Sequence, residues 1–184
     1  FDFERDFILT KEQLKQANFL CFDGLDTIAD IYLNGELIFK NRDMHIEQRI
    51  LLPKDILKEN NHIRIHFTSP YQYVWNYKNN EFFGTCGDTS NFIEPKSNVI
   101  RKCYSMFGWD WGPNLGDMGI YRDIYILSTT LGHFEQFRHK TTFLDGGKVK
   151  VDVSTKYRKV GKGKISARLS FKGKVLIEET QEFN

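Results

Sequence analysis

Apolar and polar residues alternate along most of this chain, and that period of two limits its fold more than any other feature. Side chains on a β-strand point to opposite faces in turn, so alternation marks a strand with one buried face. In HIRIHF, Ile63, Ile65 and Phe67 share one face, and His62, Arg64 and His66 share the other. In ADIYLNGEL, Ala29, Ile31 and Leu33 oppose Asp30, Tyr32 and Asn34. Asn34-Gly35 then gives the strongest short hairpin signal. KVKVDVS predicts burial of Val149, Val151 and Val153 after a turn at Asp145-Gly146-Gly147. Lys172-Gly173 turns another hairpin between KISARLSF and KVLIEETQ. Short strands at regular spacing, separated by turn signals, predict an all-β sandwich or barrel. Helix signals are few. A capping box over Thr10–Gln13 predicts one turn through Leu14, and Pro53 at a first helical position predicts another through Leu57.

Composition narrows the function classes. Hydrophobic residues make up 40% of the 184, enough for a core. Charged residues make up 27%, and the net charge of +2 is too even for the footprint of a nucleic-acid binder. No run of about twenty apolar residues is present, so no membrane span is expected. Cys21, Cys86 and Cys103 fit neither a paired framework nor a metal spacing and read as reduced, mostly buried thiols. His62 and His66 would share a solvent face without further ligands nearby, so no metal and no cofactor is expected. The chain begins at Phe1 and reads as a piece of a longer parent. The parent's compartment is left open, with the cytoplasm favoured.

A boundary is expected near residue 130, where one strand series ends at IYRDIYILSTT and another begins at HFEQFRHKTTF. This divides the chain into domains of 1–130 and 131–184. The second is too short for a complete immunoglobulin-type sandwich, which needs about 100 residues. Residues 71–100 lack a sustained period and carry many aromatics, which marks an ordered, functional irregular segment.

One loop carries unusual chemistry. In FGWDWGP, Phe107 to Pro113, Asp110 sits between Trp109 and Trp111, with Gly108 and Gly112 outside them. Glycine and proline at this density exclude a helix, so the stretch reads as a shaped loop. A carboxylate can accept charge-assisted bonds from two vicinal hydroxyls, and aromatic rings pack on the C–H faces of a sugar. The competing structural reading makes the two rings core plugs and Asp110 a turn residue bonding its own backbone. Arg101 and Lys102 read as solvated surface or as an interface ion pair. Asp23, Asp26, Glu47, Asp88, Glu94 and Asp117 stand in no recognisable catalytic context and read as turn or surface groups.

The order FDGLDTIADIYLNGELI, RDMHIEQRILL, NHIRIHFTSP and RKCYSMFGWDWGPNLGDMGIYRDIYIL resembles the N-terminal sugar-binding domain of family 2 glycoside hydrolases, in the β-mannosidase branch. The resemblance runs from about residue 3 to about residue 130. The remaining C-terminal residues are similar to the start of that family's immunoglobulin-like domain. The resemblance implies a jelly-roll, galactose-binding-domain-like β-sandwich and then a partial immunoglobulin-like β-sandwich. It implies that Asp110, Trp109 and Trp111 bind substrate, a β-linked mannoside or related oligosaccharide, in a pocket shared with a downstream (β/α)₈ barrel. It also implies that the two catalytic carboxylates belong to that barrel, so no catalytic residue is expected here. Three departures fall around the loop: Ser105 where the family has tyrosine, Asn114 where arginine is common, and Tyr121 in place of tryptophan. Rival readings are an exo-β-glucosaminidase-like parent, a free-standing carbohydrate-binding module, and a purely structural domain.

Overall fold

A computed structural model describes residues 1–78, 97–108 and 112–183. The chain divides into two compact units, Phe1–Leu127 and Ser128–Asn184.

The strands of the first unit are β1 (Asp2–Ile8), β2 (Ala17–Phe22), β3 (Leu25–Asp26), β4 (Ala29–Leu33), β5 (Glu36–Asn41), β6 (Gln48–Leu51), β7 (Asn60–Phe67), β8 (Gly119–Ile120) and β9 (Ile124–Thr129). One sheet has the order β1-β7-β4-β5 and a second the order β6-β2-β9, while β3 pairs with β8 alone. The core lies between the two larger sheets. Leu20 and Phe22 of β2 pack with Ala29, Ile31 and Leu33 of β4 and with Ile63 and Ile65 of β7. Each large side chain buried there contributes about 1.5–3 kcal/mol. The alternation in HIRIHF and ADIYL is therefore the inward and outward alternation of a sandwich.

Local signals explain several joints. Asn34 (φ 52°) and Gly35 (φ 90°) turn β4 into β5. The Asn34 side chain also fastens this turn. Its amide donates to the Ile56 carbonyl at 2.7 Å and to Asn61 Oδ1 at 3.0 Å, and its Oδ1 accepts the His62 N–H at 2.9 Å. Helix α1 (Lys11–Lys15) starts with the expected capping box, in which Thr10 and Gln13 exchange bonds of 2.9 and 3.2 Å.

The helix expected from Pro53 to Leu57 does not form, and residues 54–56 make a turn. Asn61 Oδ1 takes the Lys58 N–H at 2.9 Å, a donor that a helical turn would send back to residue 54, and the Asn34 amide holds the Ile56 carbonyl. Helix α2 (Pro70–Trp75) forms where the sequence shows no helical period, with Pro70 at its first position and Val74 buried.

A cavity of about 700 Å³ opens between β1 and β9. Leu20, Ile63, Ile65 and Ile126 give it an aliphatic interior, ill matched to a polyhydroxylated sugar. No helix among the described residues is long and apolar enough to cross a membrane.

The second unit contains β10 (Gly132–Phe143) paired with β11 (Val149–Lys159), and β12 (Gly163–Phe171) paired with β13 (Lys174–Phe183). The turns fall at Gly146 and Gly147 and at Lys172 and Gly173, as the sequence indicates. The expected burial of Val149, Val151 and Val153 does not occur, and they are 52%, 37% and 54% exposed. Alternation gives a strand an apolar face, but only a second layer can cover it. Each hairpin here is its own two-stranded sheet.

Candidate functional site

Trp109, Asp110 and Trp111 lie outside the described residues, as do Cys86, Asp88 and Glu94. The flanks of the Trp-Asp-Trp stretch are described, and both are held by the first unit.

The leading flank begins at Arg101. Its side chain pairs with Asp43 at 3.1 Å, and its carbonyl accepts the Met44 N–H at 3.0 Å. Partial burial pushes the Asp43 carboxyl up. The backbone N–H of His45 and the Arg101 guanidinium outweigh that and hold it below the usual carboxylate range. The Cys103 N–H reaches the Met44 sulfur at 3.0 Å. A 3-10 turn over Tyr104–Phe107 then drives Phe107 into a buried cluster with Ile28, Val74 and Ile100. Tyr71 meets the Phe107 ring edge to face, with centroids 6.1 Å apart. Gly108 leaves the turn at φ 90°, in the left-handed region that favours glycine.

The trailing flank returns through Asn114, whose side-chain oxygen accepts the Tyr71 hydroxyl. Gly116, at φ 56°, packs so closely that an added Cβ would lie 2.1 Å from the Tyr71 ring. Asp117 comes next, and β8 then pairs with β3 in the register Asp26 to Gly119. Beyond it, the Tyr121 hydroxyl donates to the Met44 carbonyl, so both flanks touch Met44. Two of the three departures from the family pattern, Asn114 and Tyr121, are thus bonded into the base of the loop.

Beneath the flanks lies a buried ion pair. Lys102 has a fully buried side chain, and its ammonium donates to Asp26, which is 6% exposed. The same ammonium donates to the Asp117 carbonyl at 2.8 Å. The Thr27 hydroxyl bonds the other Asp26 oxygen. Asn41, itself buried, donates to the carbonyls of Thr27 at 2.7 Å and Leu25 at 3.4 Å, on either side of Asp26. This corrects two expectations. Lys102 is no solvated surface residue, and Asp26 is no surface or turn carboxylate, because each supplies the charge that makes burial of the other tolerable. Arg101 is exposed and ion-paired, Asp23 and Glu47 both pair with Arg49 at 3.0 Å, and the Asp117 side chain is exposed. No periodicity singles out Lys102 or Asp26, since each acquires its role only through a partner far away in the chain.

Such a base presents a short segment whose two ends are fixed, which is the requirement for holding a carboxylate and two indoles in a defined arrangement. Comparison with known proteins identifies the family of this scaffold. Residues 1–122 match the family model described as glycosyl hydrolase 2 galactose-binding domain-like. A probable β-mannosidase of Caenorhabditis elegans is 31% identical over 137 residues, which is 70% of this chain and 15% of that protein. The β-mannosidase B of Thermothelomyces thermophilus is 32% identical over 111 residues, 58% of this chain and 12% of that protein. Among solved structures, a β-D-mannosidase from Dictyoglomus thermophilum superposes with a TM-score of 0.79 at 26% identity, covering 99% of this chain and 22% of that one. An exo-chitosanase of Amycolatopsis orientalis superposes with a TM-score of 0.61 at 13% identity, a likeness of fold alone, covering 98% of this chain and 19% of that one. The chain spans 15% and 12% of the length of the two curated relatives. On the match of residues 1–122 to its model, the chain belongs to the glycosyl hydrolase 2 galactose-binding domain-like family.

Proposed function

We propose that this chain is the non-catalytic portion of a β-mannosidase-like retaining glycoside hydrolase, and that Asp110, Trp109 and Trp111 form part of the pocket for the terminal sugar. The observation that carries this reading is the fixing of both flanks of the Trp-Asp-Trp stretch, through Phe107 on one side and Asn114 and Gly116 on the other. The likeness to β-mannosidases supports the sugar. Asp110 would accept bonds from two neighbouring hydroxyls, and Trp109 would wall the pocket. The same reading divides the chain at residue 130, with 131–184 opening an immunoglobulin-like sandwich. It assigns hydrolysis to a (β/α)₈ barrel supplied elsewhere in the parent, since such a barrel needs about 250 residues. Retaining hydrolysis takes an acid/base and a nucleophile about 5–5.5 Å apart, and both belong to that barrel.

The test is the kinetics of the full-length parent on aryl β-mannosides and aryl β-glucosaminides. Mannoside turnover is expected to dominate, and dominance of the glucosaminide would move the parent to the exo-β-glucosaminidase type. Asp110→Ala is expected to lower kcat/KM by about 10²-fold or more, since a charge-assisted bond is worth roughly 1.5–3 kcal/mol and its loss strands a partner. The melting temperature should not move. Near-normal kcat/KM, or loss only through unfolding, would make the stretch structural. The 184-residue chain alone should turn over neither substrate.

A further inference from the structure

Resting on that reading of Asp110, we propose that Lys102 is a positioning residue of the sugar pocket. Held in the buried ion pair with Asp26 and bonded to the Asp117 carbonyl, it sets the spacing of the two flanks that carry Trp109, Asp110 and Trp111. Lys102 stands at the start of the leading flank, and Asp117 closes the trailing one. Asp26 belongs to β3, Asn41 grips the carbonyls on either side of it, and the partner strand β8 begins two residues after Asp117. One ammonium group therefore joins three stretches of chain that are distant in sequence.

The chemistry of the pair separates this role from mere stability. Replacing both members of a buried ion pair with apolar residues of similar volume is often neutral or stabilising. A methionine facing a leucine could fill the space of Lys102 and Asp26. It could not donate to the Asp117 carbonyl, because neither side chain carries a hydrogen-bond donor of any strength. The sandwich can therefore survive a change that lets the flanks drift apart. A displacement of roughly 1 Å can cost about 10²-fold in catalysis.

The chain contains 3 tryptophans, so Trp75→Phe leaves Trp109 and Trp111 as the sole indoles. In that background the double change Lys102→Met with Asp26→Leu is compared with the parent background by thermal melting and by acrylamide quenching of tryptophan fluorescence. The same double change is made in the full-length enzyme for kinetics. The expected result is a retained melting temperature, a shifted quenching constant and a fall in kcat/KM of at least about tenfold, within the range that misplacement produces. Retained melting with unchanged quenching and unchanged kcat/KM would overturn the proposal. A double variant that fails to fold would also overturn it, because the pair would then serve the sandwich rather than the flanks. Shifted quenching with unchanged kcat/KM would leave the positioning intact and overturn the sugar-pocket reading of Asp110.

Discussion

Asp43 joins two stretches of the first unit through a single carboxylate. One oxygen accepts the His45 N–H at 2.8 Å, and the other accepts the Arg101 guanidinium at 3.1 Å. Both bonds favour the ionised form, and they outweigh the opposing effect of partial burial, so the folded-state pKa lies below its ordinary value. A depressed carboxylate pKa adds stability that is fully present above the unfolded pKa, about 3.9. That stability is lost as the pH falls through the lower, folded-state value. Asp43→Asn should therefore melt below the wild type at pH 7, and the gap should close as the pH drops below about 4. Melting curves across this range check it, and a gap that stays constant down to acid pH would assign the loss to shape rather than charge. Cys21 offers a second test at this scale. Burial pushes its thiol up, while Cys103 is only half-buried. Alkylation at mildly alkaline pH, with peptide mapping afterwards, should mark Cys103 well before Cys21.

Asn34 decides the geometry of a whole hairpin. It takes the left-handed conformation at φ 52° and makes hydrogen bonds to Ile56, Asn61 and His62. Asn34→Ala would strain the turn and leave the buried Asn61 short of a partner. At about 1 kcal/mol per bond, plus roughly 1 kcal/mol for the conformation, the expected loss is about 2–4 kcal/mol. Chemical denaturation measures it, and a loss near zero would mean the turn is held by its strands alone. This element was legible in the sequence because Asn-Gly and the flanking alternation are local signals. The helix expected at Pro53 failed for the opposite reason: the segment is fastened as a turn by side chains outside it, among them Asn34, more than twenty positions earlier. Val149, Val151 and Val153 were misjudged because a strand's alternation reports an apolar face but not the layer that covers it. At the candidate site, the loop from Phe107 to Pro113 could be read from its glycines and proline. The burial of Lys102 could not, since it depends on Asp26, 76 positions away.

The two units differ in how completely each covers its own apolar surface. The first encloses a core between its sheets, whereas the hairpins of the second expose Phe134, Phe137, Phe143 and Ile177. The proposed pocket is divided in a similar way, because one carboxylate and two rings contact only part of a monosaccharide, and small-ligand sites usually bury most of theirs. The isolated chain should therefore bind mannose with a millimolar or weaker dissociation constant, roughly 4 kcal/mol or less. Titration calorimetry decides this, and micromolar affinity would favour a free-standing carbohydrate-binding module. The buried ammonium–carboxylate pair also has a consequence for descent. Any lineage that loses Asp26 or Lys102 alone strands a charge in the interior at about 3–5 kcal/mol, a large fraction of a domain's stability. Single-step mutational paths away from the pair cross a deep valley, and only a joint replacement avoids it. Positions 26 and 102 should therefore be inherited as a unit, and an alignment of orthologues should show them changing together or not at all.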